Sequence, residues 1–489
     1  MKTRNLLFIF TDQQRHDTLS VSGNRTIQVP NLDALADESC VFRDAYASQP
    51  VCSPSRGTMM TGLYPHTHRV VENNLILPHD ARCIAEYLHE HRTAYLGKWH
   101  LGNETRCQHG FHEWVSTEHY YYRDVRDDTT TPEENCSYHR FLVENGFMPD
   151  GEDGDYRFFT RDFATRLPVE YSKPAFLAGE ADRFLRENRD RPFALYVNFL
   201  EPHPPYRSVN DDLYDPATID LPPNFGVELD ETAPAKCRFK AAYARANGRH
   251  FPLSDEHSWR KQIARYLGCV TLIDTYVGRI LDSLRQHGLE DNTMVVFTSD
   301  HGEMMGDFGL ISKAVMFQPS IRVPLLFRVP WVTTEQRVID GPVNLVDLVP
   351  TILDVLGYPL DSTLQGESLY PVITADRPFG GKDVFVEYHE NPDALFRKKK
   401  YAGVLTPGLR KELERLYPHP VEERTIVTPD GWRLTLNQTG EHELYDLTGD
   451  PLERTNLYGR SRYQATVSEL RSKVASWQQR TGDTAVFAD

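Results

Sequence analysis

The sequence predicts an α/β protein in which helices cover both faces of a large, mostly parallel sheet, with a smaller α+β domain at the C-terminus. Strand-length apolar runs such as "NLLFIFTD" (5–12) and "TMVVFTSD" (293–300) are continuous rather than alternating, which is typical of strands buried on both faces. Segments with helical periodicity separate these runs, as in a parallel sheet with crossover helices. Beyond residue 377, short runs with a turn at "PDG" indicate antiparallel strands. The predicted domains are therefore residues 1–377 and 378–489.

The elements of the large domain follow from these patterns in order. The predicted strands are 5–12, 40–47, 93–100, 192–200, 293–300 and 323–329. The predicted helices are 31–39, 55–64, 81–91, 176–188, 257–287 and 345–357. Two long segments, 103–175 and 208–255, show little periodicity and are predicted to be loops that shape a cleft. The small domain should contain short strands in "DVFVEYHE", "RTIVTPDGWRLTLNQ" and "HELYDL", and should end in the amphipathic helix "SRYQATVSELRSKVASWQQ".

Composition excludes several classes of partner. The chain has 489 residues and a net charge of −16, which argues against nucleic acid and anionic membranes as partners. No apolar segment reaches membrane-spanning length.

The seven cysteines are scattered without paired metal-site spacing, and the N-terminal apolar run lacks a small-residue cleavage site. We therefore expect a reduced, cytoplasmic protein, or a periplasmic one whose leader has been removed. The sequence does not determine the oligomeric state and is compatible with a homo-oligomer.

Two predicted strands end in similar polar pairs. Asp12 and Gln13 follow the first strand, and Asp300 and His301 follow the strand at 293–300. Ligands of open parallel sheets bind beyond the carboxyl ends of the strands, and Gly302 would allow the chain to bend there. Two carboxylates, an amide oxygen and an imidazole suit Ca²⁺, Mn²⁺ or Mg²⁺. The alternative is that the aspartates are only helix caps or turn residues.

Basic side chains are predicted along the same edge. "LGKWHLG" carries Lys98 and His100 two residues apart, and thus on one face of a strand end. His203 follows another strand between prolines, and Lys313 lies in the segment after "SDHGE". Each residue alone has an ordinary structural interpretation, as a solvated charge or a core histidine. Together they predict a ring of cationic groups around one end of the sheet.

The stretch "VCSPSRG" adds a cysteine and an arginine to this ring. Cys52 and Arg56 lie four residues apart at a predicted helix start, where backbone N–H groups favour an anion. A small buried hydrophobe is the alternative interpretation of Cys52. Two aspartates and one divalent ion would sum to zero charge, so the cations would leave the pocket positive. That balance favours sulfate or phosphate and stabilises its transition state.

The combination of segments resembles the type I sulfatases of the alkaline phosphatase superfamily, and this resemblance implies an alkaline phosphatase-like fold. The matching segments are "FTDQ" (10–13), "CSPSRGTMMTGLYP" (52–65), "GKWHLG" (97–102), "SDHGE" (299–303) with Lys313, and "ELYDLTGDPLERTNL" (443–457). The second segment matches the family's Cys-x-Pro-x-Arg signature in residue type and spacing. The other segments occur in the order found in the family.

The resemblance also implies roles for individual residues. A formylglycine-generating enzyme would oxidise Cys52 to formylglycine, whose hydrate supplies the nucleophile. Asp12, Gln13, Asp300 and His301 would hold one divalent ion, most simply Ca²⁺, with residue 52 as a further ligand. Arg56 would hold the nucleophile, and Lys98 and Lys313 would bind sulfate oxygens. His100 would be the base that triggers elimination, and His203 would protonate the leaving oxygen. Asn73, in "VENN" (71–74), is a looser match to a substrate-binding residue.

This chain departs from the common family pattern at two ligand positions. Gln13 stands where many members have a second aspartate, and His301 stands where they have asparagine. This combination resembles the branch of phosphonate monoester hydrolases and some sugar sulfatases. The sequence therefore predicts a sulfuric ester hydrolase, with a phosphonate or phosphodiester hydrolase and a non-catalytic anion-binding protein as alternatives. Tyrosines in 103–175 suit stacking on sugar rings and favour a carbohydrate sulfate, whether a small molecule or an oligosaccharide.

Overall fold

The computed structural model describes residues 4–118, 136–154, 156–248, 252–376, 378–397 and 404–488. Most of the tyrosine-rich stretch within 103–175 lies outside these residues, so the expectation of sugar stacking there stays a prediction. Within the described parts of the chain, no helix is long and apolar enough to cross a membrane.

Fifteen strands form the sheets of the described chain. They are β1 (Asn5–Asp12), β2 (Cys40–Tyr46), β3 (Arg92–Gly97), β4 (Glu113–Ser116), β5 (Gly151–Asp153), β6 (Tyr156–Phe158), β7 (Phe193–Pro202), β8 (Thr293–Ser299), β9 (Arg322–Val323), β10 (Leu325–Arg328), β11 (Arg337–Asn344), β12 (Val384–Glu390), β13 (Val421–Val427), β14 (Trp432–Asn437) and β15 (Glu443–Asp446).

The α-helices of the described residues alternate with these strands. They are α1 (Pro30–Asp37), α2 (Cys52–Thr61), α3 (Pro65–His68), α4 (Ile84–Tyr87), α5 (Ser137–Glu144), α6 (Arg161–Ala164), α7 (Lys173–Asn188), α8 (Ala235–Asn247), α9 (Glu256–Gln286), α10 (Gln318–Ile321), α11 (Leu348–Leu356), α12 (Tyr370–Ile373), α13 (Pro407–Leu416) and α14 (Gln464–Thr481).

The large sheet has the order β11-β2-β10-β8-β1-β7-β3-β4, with β9 paired to β2. The central strand β1 is parallel to both neighbours, β7 and β8, whereas β10 is antiparallel to β8 and β2. Alternate residues of β1 enter different cores, as the two-residue period of a strand requires. Leu7 and Ile9 pack with residues of α1, α7 and α9, and Phe8 and Phe10 pack with residues of α2 and α11. The predicted mostly parallel sheet between helices is confirmed.

A second sheet, β12-β13-β14-β15, is antiparallel throughout, as predicted for the C-terminal part. Its core contains Phe385, which stacks on Trp477 of α14 with ring centroids 4.8 Å apart. The predicted final helix is thus present and packed on this sheet. The exact division between residues 377 and 378 stays a prediction.

Three predicted segments differ from the structure. The helix predicted over 81–91 is only α4, because a turn follows it in which His91 N donates to Leu88 O. The loop predicted over 208–255 contains α8, a 13-residue helix. The small and basic residues of α8 give it little amphipathic pattern, and Phe239 is buried against Leu413 and Tyr417, which are distant in sequence. The segment 103–175 likewise contains β4–β6, α5 and α6.

Candidate functional site

The candidate site lies at the carboxyl ends of β1 and β8. These strands pair in parallel, with Thr11 opposite Ser299, so the residues that follow them meet at one edge of the sheet. Asp12 closes β1, and Asp300 N donates to Thr11 O at 3.1 Å directly after β8. Asp12, Asp300 and the neighbouring His301 are all fully buried. Two carboxylates and one imidazole therefore share a single buried position.

Four side chains there could hold a metal ion: Asp12, Cys52, Asp300 and His301, whose ligand atoms all lie within 4.8 Å of one another. His301 Nδ1 donates to Gly302 O at 3.0 Å, because a carbonyl can only accept, so Nε2 faces Asp300 Oδ1 at 3.5 Å. Burial and the Lys313 charge act to lower the pKa of His301, but the Asp300 carboxylate and the Cys52 side chain together outweigh them, so the net pKa is raised. Asp300 and Cys52 thus favour positive charge on this imidazole. We refer to these four residues as the ligand cluster, and their donor types fit a divalent ion.

Gln13 reaches the cluster from beside Asp12 because its backbone is left-handed, with φ 74°. Its backbone N donates to Asp300 Oδ1 at 3.0 Å, and its Oε1 accepts from Lys313 Nζ at 2.6 Å. Gly302 was predicted to let the chain bend, but the structure shows a different reason for glycine at this position. A Cβ on Gly302 would lie 2.0 Å from Pro319 O, so glycine is needed there for close backbone approach.

Cys52 is the first residue of α2, three residues earlier than the predicted helix start. Its Sγ lies 3.4 Å from His301 Nε2 and accepts from Lys313 Nζ at 3.0 Å. Burial and the Asp12 carboxylate act to raise the pKa of Cys52, but Lys313, Lys98 and His301 outweigh them and lower it to about 7. The site therefore stabilises negative charge on residue 52.

Arg56 lies one turn further along α2 and is 1% exposed. Its guanidinium donates to Asp300 Oδ2 at 2.9 Å and to Asp12 Oδ2 at 3.0 Å. It also donates to Lys98 O and to Asn198 Oδ1 on β7. Arg56 of α2 thus neutralises the two carboxylates, and its separate donors hold them apart.

Two lysines complete the positive charge. Lys98 Nζ donates to Asp12 Oδ2 at 2.6 Å, and Lys313 Nζ lies 3.8 Å from Asp12 Oδ1. Burial acts to raise the pKa of Asp12, but Lys98, His203, Lys313 and Arg56 together hold it well below its usual range. Arg56, Lys98 and Lys313 thus place three cationic side chains around the carboxylates at the strand ends.

The two histidines lie in turns rather than on strands. The expectation that Lys98 and His100 share a strand face is wrong, because β3 ends at Gly97 and His100 has φ 60°. Glu104 holds this turn by accepting from Trp99 N and His100 N. Burial, followed by the Lys98 charge, holds the pKa of His100 well below its usual range.

His203 follows β7 and donates through Nδ1 to Pro204 O at 2.8 Å. Burial also holds the pKa of His203 well below its usual range, against the opposing effect of Asp12. Both His100 and His203 are therefore neutral near pH 7 in this state. A neutral imidazole can accept a proton, as the role expected of His100 requires.

Asn73 lies beside the start of α2 and accepts from Ser53 N at 3.0 Å. The neighbouring Asn74 contacts His100, with 2.9 Å between Oδ1 and Nε2. Sequence reasoning missed this contact and gave no role to Glu104 and Asn198, or to Tyr206 and Glu303, which both contact the Gln13 amide. Asn198 gave a signal as a polar residue within a continuous apolar strand, and Glu303 gave one as the last residue of the matching segment "SDHGE".

Comparisons with known proteins identify the family of this chain. The Sulfatase family model matches residues 4–358. The chain is 27% identical over 498 residues to the "Ulvan-active sulfatase" of Formosa agariphila, covering 98% of this chain and 82% of that protein. It is 25% identical to the "N-acetylglucosamine-6-O-sulfatase" of Bacteroides thetaiotaomicron, covering 99% and 87%. The solved structure of the phosphonate monoester hydrolase of Agrobacterium radiobacter is similar, with a TM-score of 0.76, 25% identity and coverage of 98% and 96%. The chain belongs to the sulfatase family and is a sulfuric ester hydrolase.

Proposed function

We propose that this protein releases sulfate from a sulfated carbohydrate, using a formylglycine derived from Cys52 and one divalent metal ion. The observation that carries the proposal is the position of Cys52. Its Sγ lies at a helix N-terminus, 3.0 Å from Lys313 Nζ and 3.4 Å from His301 Nε2. The carbohydrate class is supported by the names of two relatives, an ulvan-active sulfatase and an N-acetylglucosamine-6-O-sulfatase.

Modification of Cys52 would solve a problem of product release. An unmodified thiolate could attack sulfur, but the S–S adduct would have no internal route to free sulfate. The hydrate of a formyl group carries two hydroxyls. One hydroxyl would lose its proton and attack sulfur, so that a new O–S bond forms as the S–O bond to the sugar breaks and the sugar oxygen leaves as the alcohol with a donated proton. Loss of the proton from the second hydroxyl would then reform the C=O bond, break the C–O bond to sulfate and release sulfate, and water would regenerate the hydrate.

Asp12, Gln13, Asp300 and His301 would hold the ion, with residue 52 beside them. Ca²⁺ is the first candidate, and Mn²⁺ and Mg²⁺ are the alternatives, since most of these donors are oxygens. When bound, the ion supplies positive charge that balances the two buried carboxylates and polarises an oxygen near it. Lys98 and Lys313 would orient the sulfate oxygens from either side of Asp12.

The two histidines would move the protons. His100, neutral because of its burial, would accept the proton of the second hydroxyl. His203 would protonate the leaving oxygen, although its pKa is low without substrate. An anionic sulfate group bound beside His203 would raise that pKa and favour the imidazolium.

One observation favours a second function, phosphonate monoester or phosphodiester hydrolysis. Gln13 and His301 replace the more common aspartate and asparagine, and the phosphonate monoester hydrolase of Agrobacterium radiobacter is a structural neighbour. Parallel assays with sulfated sugars, aryl sulfates, phosphonate monoesters and phosphodiesters distinguish the functions. We expect the highest kcat/KM for a sulfated sugar. A higher kcat/KM for the phosphonate or diester would overturn the proposal in favour of this alternative.

Removing His203 should affect substrates unequally. His203→Ala is expected to lower kcat/KM for a sugar sulfate by about 10²-fold or more, because an alkoxide is a poor leaving group without a proton donor. The loss should be much smaller for a nitrophenyl sulfate, whose phenolate leaves readily. The measurement is kcat/KM for both esters in the variant and in the wild type. Equal losses on the two esters would contradict the role of His203 as general acid.

A further inference from the structure

Glu303 has no assigned role, yet it occupies the centre of a hydrogen-bond network behind the ligand cluster. It lies two residues after His301 and is fully buried. Its Oε1 accepts from the backbone N of Met305, at 3.0 Å, and of Ser312. Its Oε2 accepts from Tyr206 OH and from Gln13 Nε2. One carboxylate thus contacts the segment next to Lys313 and the amide of Gln13.

The Gln13 side chain has a single permitted orientation between its neighbours. On one side, the Lys313 ammonium can only donate, so the amide oxygen must face it, at 2.6 Å. On the other side, the Glu303 carboxylate can only accept, so the amide nitrogen must face it. The second N–H of the amide donates to Tyr206 OH at 2.9 Å. All the polar atoms of this amide are therefore matched only when Oε1 faces Lys313, whose Nζ also lies 3.0 Å from Cys52 Sγ of the ligand cluster.

An aspartate at position 13 would not need such a neighbour, because both oxygens of a carboxylate can bind a cation. An amide has one oxygen, and rotation by a half turn would present N–H donors to the cation instead. The substitution of glutamine for the second aspartate common in the family thus creates a requirement for an oriented amide. A buried carboxylate behind the amide meets that requirement.

We propose that Glu303 is a positioning residue that locks the Gln13 amide with its oxygen towards the metal ion and fixes the turn that carries Lys313. The turn is closed by Met304 N donating to Ser312 O at 2.8 Å, and Ser312 has φ 74°. The Glu303 hydrogen bond to Ser312 N holds this backbone directly before Lys313. The inference rests on the proposed metal site.

The test is a reciprocal exchange of amide and carboxylate. In Glu303→Gln, the oxygen of the new amide would accept from Met305 N and Ser312 N. Its nitrogen would then face the nitrogen of the Gln13 amide, and two hydrogen-bond donors would oppose each other. Gln13 should then turn its oxygen away from the cluster. In the double variant Gln13→Glu/Glu303→Gln, the new amide oxygen accepts from the same two backbone groups and its N–H donates to the new carboxylate. The exchange restores the network and keeps the net charge unchanged.

The primary readout is binding of Ca²⁺ alone to the full chain, measured by calorimetric titration of metal-free protein. We expect Glu303→Gln to weaken Ca²⁺ binding by about 10–100-fold, the usual effect of losing a group that orients a metal ligand. The double variant should recover that affinity. Asp274→Asn is the matched control, because Asp274 is a buried carboxylate that accepts from Leu32 N and Asn31 Nδ2 elsewhere in the fold. Asp274→Asn should change thermal stability without changing the Ca²⁺ affinity.

Two results would overturn the inference: Ca²⁺ affinity of Glu303→Gln equal to that of Asp274→Asn, or a double variant no better than Glu303→Gln. If Glu303→Gln does not fold, Glu303→Asp decides, because it keeps the negative charge but its shorter side chain withdraws the carboxylate from Gln13 Nε2. Weaker Ca²⁺ binding in Glu303→Asp than in the wild type supports the inference, and equal binding contradicts it. A wild-type protein that binds none of Ca²⁺, Mn²⁺ and Mg²⁺ would overturn the metal site and this inference together. A wild-type protein that binds Ca²⁺ but hydrolyses no sulfate ester would overturn only the proposed function.

Discussion

Cys52→Ala is expected to abolish sulfate ester hydrolysis, by about 10⁴-fold or more, the scale on which enzymes lose activity without their nucleophile. The change removes one sulfur atom from the start of α2 and leaves Arg56, Lys98 and Lys313 in place. Substrate should still bind, because the cations that receive the anion remain. The measurement is kcat with a sugar sulfate, together with equilibrium binding of that ester to the variant.

The same mechanism also requires that residue 52 of the active enzyme be formylglycine. Mass spectrometry of the peptide bearing residue 52 in active enzyme should show loss of one sulfur and two hydrogens and gain of one oxygen. Protein from a host without a formylglycine-generating enzyme should fold normally and be nearly inactive. Cys83→Ala, which alters another buried cysteine outside the ligand cluster, is the matched control and should keep full activity. Fully active protein with an unmodified Cys52 would contradict the proposed mechanism.

The ends of the strands were the most predictable part of this site. Continuous apolar runs identified β1 and β8, and the parallel register then brings Asp12 and Asp300 to one edge. Arg56 was predicted instead from its spacing, four residues after Cys52 at the start of a helix. These residues are close in sequence to the elements that carry them, so local patterns were sufficient.

Other features depend on contacts between distant segments, which a single sequence does not reveal. Glu303 and Tyr206 meet only because the turn after β8 folds back onto the loop after β7. The position of His100 was mispredicted because strand periodicity was extended past Gly97, where Glu104 holds a turn with positive φ. Helix α8 is supported by burial against α13 rather than by its own periodicity.

Arg56→Met is expected to lower the free energy of unfolding of the metal-free protein by about 3–5 kcal/mol, the usual effect of removing one partner from a buried ion pair. The guanidinium donates to both Asp12 and Asp300, and these side chains are 0–1% exposed. Methionine retains much of the length of arginine but leaves the Asp300 carboxylate without its buried cationic partner. Urea unfolding of metal-free protein, followed by circular dichroism, measures the change.

A surface arginine supplies the comparison for this prediction. Arg183 on α7 forms ion pairs with Glu113, Glu180 and Glu187, and its side chain is 33% exposed. Arg183→Met should therefore lower the free energy of unfolding by only about 0–1 kcal/mol, because solvent screens these pairs. A divalent ion should recover part of the loss in Arg56→Met, since it can neutralise the carboxylates that Arg56 no longer contacts. Equal losses in the two variants would show that Arg56 does not balance the buried charge of Asp12 and Asp300.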